Sequence, residues 1–169
     1  TRCREQVCEI RVQEYRNRSI TVLERLNSWR EGRAGAVSEG IDTPETKHES
    51  HGLPQDQPYG PEARAFARGA VAFTDKVQLL RSNSTDPYGR TLGYVFVNGK
   101  NFSVLMLAAR LAAETVSVFG DNGLPEPAAA CVAAASAAGP VPFEPPYLYR
   151  KRMREVAQRL ADHGVTIEL

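Results

Sequence analysis

Apolar and polar residues alternate from Cys8 to Val12, with Cys8, Ile10 and Val12 on one face and Glu9 and Arg11 on the other. A period of two predicts a strand. A second alternation covers 20–26, after the polar break RNRS at 16–19, and the two runs together predict a hairpin. AVSEGID (36–42), KVQLL (76–80) and TVSVF (115–119) predict further short strands. YVFVNGKNF (94–102) sets Asn-Gly between apolar runs, the strongest short-range hairpin signal.

Helical spacing appears in three other stretches. In 59–73, Ala63, Phe66, Ala70 and Phe73 recur every three or four residues, with Pro61 and Glu62 suited to a first turn. SVLMLAARLAAE (103–114) predicts a buried helix. Residues 148–164 predict a terminal helix with Tyr149, Met153, Val156 and Leu160 on one stripe and Gly164 as its cap. Between them, 128–138 holds eight alanines in eleven positions, flanked by prolines, which predicts a short alanine helix between stiff linkers. Residues 46–58, rich in His, Gln and Pro, predict a surface loop. The elements predict an α+β domain: a small Greek-key barrel with three packed helices.

At 169 residues and 42% apolar content the chain supports one domain with a real core. No stretch is long and apolar enough to predict a transmembrane helix. Lys and Arg number 21 against 20 Asp and Glu, a balance that argues against a dedicated nucleic-acid binder. Cys3, Cys8 and Cys131 lack zinc-ligand spacing and predict reduced thiols in an intracellular compartment. The chain starts at Thr1, which raises the expectation of a removed leader and a mitochondrial setting.

EGIDTPETKH (39–48) gathers Asp42, Thr43 and Glu45 closely enough to surround one hard cation or one water. GIDTPETKH, YGPEARAF and DPYGRTLGYVFVNGK stand in the same order and nearly the same spacing as in staphylococcal-type thermonucleases. The chain resembles that family from about Gly40 to Phe119, and more loosely through the terminal helix. The resemblance implies a five-stranded OB-fold barrel over 1–169, with a core at 8–119 and 147–165 and an Ala/Pro-rich insertion at 120–146. It also implies calcium-dependent cleavage of DNA or RNA. Its roles fall on Asp42 and Thr43 for Ca²⁺, Glu45 for the attacking water, Arg90 for the phosphate and Tyr88 for the nucleotide.

Two further parts of the family pattern are missing. The first hairpin turn, where the family carries a calcium-binding aspartate, reads RNRS and presents Arg18. A guanidinium does not coordinate a cation. The family's second phosphate-clamping arginine corresponds to Val37, and Arg33 lies about 13 Å further back along an extended strand. These departures predict a vestigial centre: no working Ca²⁺ cofactor, and a role as an accessory subunit among protein partners in a larger assembly. A calcium-dependent nuclease and a single-stranded nucleic-acid binder are the alternatives. A structural reading of the retained residues is also open, in which Asp42 and Thr43 cap a turn, Gly89 permits one, and Arg90 pairs with Glu45. His48, His51, His163 and the basic run YRKRMR (149–154) are expected on solvated faces.

Overall fold

The computed structural model describes residues 2–4, 7–11, 36–48, 52–87 and 89–163. The second hairpin strand at 20–26, Arg18, Arg33, His51, Tyr88 and Gly164 lie outside the described residues.

One sheet runs β1 (Arg2–Arg4), β2 (Val7–Arg11), β5 (Lys76–Thr85), β6 (Thr91–Val97), β3 (Ala36–Ser38), with β7 (Lys100–Asn101) also on β6. Its pairings are antiparallel except that of β3 with β6, which is parallel, Val37 opposite Leu92. A second, two-stranded ladder joins β4 (Ile41–Asp42) to β8 (Ala113–Glu114), with Asp42 opposite Ala113. The β6–β7 turn is the expected Asn-Gly hairpin. Asn98 and Gly99 both take positive φ, 49° and 77°, and Asn98 Oδ1 accepts the N–H groups of Asp75 and Lys76 at 3.0 Å each.

Five helices are described: α1 (Gly60–Ala72), α2 (Phe102–Ala108), α3 (Val116–Phe119), α4 (Pro125–Ala138) and α5 (Pro146–Asp162). Helix α1 has Pro61 in its first turn as expected, but its core face is Ala63, Ala67, Ala70 and Val71. Phe73 is instead 90% exposed just past the helix end. The helix expected to reach residue 114 stops at Ala108. Arg110 adopts φ 57°, and Leu111 N donates back to Met106 O at 3.0 Å, closing the C-terminus without a glycine. The strand expected at 115–119 is α3, and the pairing strand lies just before it. The strand expected at 76–80 extends to Thr85.

The core joins Val77, Leu79, Tyr94, Val95 and Val97 of the sheet to Phe102, Met106 and Leu107 of α2. Leu124, Ala128 and Cys131 complete it, so the Ala/Pro-rich segment 120–146 supplies part of the central packing and α4 lies against α2. A separate small cluster of Leu53, Tyr149 and Met153 docks α5 onto the 46–58 loop.

Candidate active site

Asp42 ends β4, and its backbone is fixed by the ladder to β8 and by Thr115 N donating to Gly40 O at 3.1 Å. Pro44 is buried, and the chain beyond it turns so that Glu45 meets the start of α1. Two residues hold Glu45 there. Gln57 accepts the Glu45 N–H through Oε1 at 3.1 Å, and its own N–H donates to Glu45 O at 2.9 Å. Gly60 passes so close that a Cβ would stand 2.3 Å from Glu45 O. The DTPE and YGPE segments therefore occur together for a steric reason: the carbonyl of one fills the space left by the missing side chain of the other.

Gln57 is 1% exposed although the loop around it is polar. Its Nε2 donates to Glu144 O at 2.6 Å, which ties Glu45 to the segment leading into α5. From that helix Arg150 reaches back into the acidic pair. Its Nη1 and Nη2 donate to Asp42 Oδ1 and Oδ2 at 3.1 and 3.0 Å, and Nη1 also donates to Glu45 Oε1. Burial works against the Arg150 charge, but its bonds to Asp42 and Glu45 outweigh that and raise its pKa above the ordinary arginine value. Tyr149 and Met153, buried on either side of it along the helix, fix the direction from which the guanidinium enters. Tyr149 Oη donates to Gln55 O at 3.1 Å, and Arg152 stacks over the Tyr149 ring while pairing with Glu144.

Arg90 is engaged elsewhere. Its backbone N–H donates to Asp86 Oδ1 at 2.8 Å, its Nε donates to Asp86 Oδ2, and Asp86 N donates to Arg90 O at 2.9 Å. The pair closes the turn between β5 and β6, with Gly89 at φ 76°. This corrects the expected Arg90–Glu45 pair, because Glu45 is taken by Arg150.

The family profile described as staphylococcal nuclease homologue matches residues 38–129, more than half of the chain. The chain belongs to this family. The matched stretch carries Asp42, Thr43, Glu45 and Arg90, whereas Arg150 and all of α5 lie beyond it.

Ca²⁺, the ion that membership in this nuclease family implies, needs six to eight oxygens. The described residues bring Asp42, Thr43 and Glu45, but three of the four carboxylate oxygens of Asp42 and Glu45 accept from Arg150. Among the described residues no group of three His, Cys, Asp or Glu side chains could hold a metal ion. With Arg150 seated, this donor set does not fit calcium. The basic run 149–154, expected on a solvated face, thus contributes one residue to the site. Arg150 and Gln57 are the site residues that sequence reasoning misses.

Proposed function

We propose that this domain keeps the staphylococcal-nuclease fold but is impaired as a calcium-dependent phosphodiesterase, and that it acts as a structural or interaction subunit of a larger assembly. The supporting observation is the Arg150 guanidinium bridging Asp42 and Glu45. A phosphodiester is an anion, so its hydrolysis requires a cation beside the phosphoryl oxygens and a free carboxylate for the water. Here the carboxylates spend their charge on a guanidinium, which lacks the open coordination positions that activate water. Displacing these charge-assisted contacts, which are partly exposed and so screened, costs on the order of 1–2 kcal/mol, roughly tenfold in apparent cation affinity. Arg18 in the expected ligand turn and Val37 in the expected arginine position support the same reading. Closure of the sheet into a Greek-key barrel belongs to it too, supported by the family match and by the parallel β3–β6 pairing within an otherwise antiparallel sheet.

Incubation of the domain with denatured DNA in calcium, with and without chelator, tests the catalytic half. The expected result is no digestion above background. Calcium-dependent digestion that disappears in Glu45→Ala would sink it. The active-nuclease alternative draws on one specific observation, the intact backbone clamp on Glu45 by Gln57 and Gly60. It requires Arg150 to leave the acidic pair. Size-exclusion of native extract tests the assembly half: elution at the mass of the lone chain counts against it.

A further inference from the structure

Glu39 stands apart from the acidic pair and raises a different question. It is 6% exposed, and neither carboxyl oxygen makes a hydrogen bond of good geometry, the Asn122 side chain beside it being the nearest approach to one. Its backbone has little freedom to carry the side chain to water. Glu39 N donates to Gly93 O at 2.9 Å, and Glu39 O accepts from the fully buried Ser103 hydroxyl at 2.7 Å. The Asn122 amide lies beside the carboxyl, and the titratable groups that act on the surrounding pocket are acids: Asp121 on the turn before α4, Tyr94 of β6, Cys131 of α4 and Glu114 of β8. An isolated carboxylate in such surroundings is strongly disfavoured, and the group meets the cost by holding a proton.

We propose that Glu39 is a proton-binding site built into the core: protonated, it packs beneath the Asp121–Gly123 turn, and on losing its proton it drives that turn away. The turn is the element able to yield. It is anchored by Ser82 Oγ donating to Asn122 O at 2.6 Å and by Leu124 in the core, and its own bonds are local, Gly123 N to Asp121 Oδ1 and Leu124 N to Asp121 O. The sheet, by contrast, holds Glu39 from behind through its backbone N–H, and α2 through the Ser103 hydroxyl on its carbonyl. Burial pushes the Glu39 carboxyl up to about 7, the Asn122 side chain beside it lowers it somewhat, and Asp121 raises it further. The folded form thus binds a proton that the unfolded chain has already released. Stability is present in full at low pH, falls as pH rises from about 4.5 through about 7, and levels off above that. Across that window the folding equilibrium constant drops on the order of a hundredfold.

Thermal unfolding of the wild type and Glu39→Gln between pH 5 and 8.5, with hydrogen exchange of segment 118–126 corrected for intrinsic rates, tests the proposal. The wild type should lose melting temperature most steeply between about pH 5 and 6.5, with the slope fading through pH 7, and should lose protection in that segment as the folded form releases its proton around pH 7. Glu39→Gln should flatten both curves. Asp121→Asn keeps the turn's side-chain acceptor and removes the like charge, so it should move the transition to lower pH even if Glu39→Gln folds poorly. An unchanged slope in Glu39→Gln, an unmoved transition in Asp121→Asn, or a turn whose exchange ignores pH overturns it.

Discussion

The guanidinium of Arg150 holds both carboxylate oxygens of Asp42, at 3.1 and 3.0 Å, across 108 positions of sequence. The same group takes Glu45. One side chain from the last described helix therefore occupies the acidic pair that the first motif of the family presents and offsets one of its two charges. The contact also does structural work, because it fastens α5 to β4 alongside the small Leu53–Tyr149–Met153 cluster.

Replacing Arg150 with Met keeps the aliphatic stem and removes the charge. Two carboxylates are then left facing one another, so the apo protein should lose about 1 kcal/mol, a modest figure because the pair is partly exposed. The freed oxygens should bind a hard cation at least tenfold more tightly than in the wild type. Terbium luminescence or calorimetric calcium titration reads this directly. Equal affinities in the two proteins would show that Arg150 does not compete for the site.

Gln57 is the buried joint between Glu45 and Glu144. In Gln57→Leu the Glu45 N–H and the Glu144 carbonyl lose their partner, and each buried orphan costs roughly 1–3 kcal/mol. Urea unfolding should show a loss of about 2–4 kcal/mol, with faster exchange at 44–47. A loss below about 0.5 kcal/mol means that water replaces the amide and that the joint is dispensable.

What the sequence reveals and what it hides follow from distance along the chain. The Asn98–Gly99 hairpin is legible because both residues suit positive φ locally. Asp42, Thr43 and Glu45 are legible because they fall within one decapeptide. Arg150 is not, because its partners lie more than a hundred positions away and a basic helical run ordinarily faces water. Gln57 sits in a polar loop and reads as surface, yet it is buried because backbone groups there need a partner. TVSVF alternates like a strand, but Glu114 captures Ser117 through its backbone N–H at 2.8 Å and its hydroxyl at 2.6 Å. That local pairing starts a helical turn in spite of the β-branched residues.

Two glycines of α1 should respond oppositely to the same substitution. Gly60→Ala places a Cβ 2.3 Å from the Glu45 carbonyl, and a backbone atom has little room to retreat. It should cost about 2 kcal/mol or more and shift the Glu45 loop. Gly69→Ala meets nothing within 4 Å in the last turn of the helix and should stabilise by up to roughly 0.5–1 kcal/mol. Melting temperatures of the two variants decide the matter, and a destabilised Gly69→Ala or a neutral Gly60→Ala contradicts the packing described.

Cys131 tests the placement of α4 in the core. The residue has no exposure, its thiol is pushed up to about 11, first by burial and then by the Glu114 charge, and the Asn101 amide offsets part of this. Alkylation needs both access and thiolate, and at pH 8 such a thiol is ionised only about one part in a thousand. Iodoacetamide at pH 8 should therefore leave Cys131 unmodified in the native protein and label it once urea unfolds the chain, with the position read by peptide mass spectrometry. The folded thiol holds its proton to higher pH than the unfolded one. Its contribution to stability is therefore complete below about pH 9 and is lost as pH climbs toward 11. Rapid native labelling at pH 8 would mean that α4 swings free of α2 and leaves the core described here.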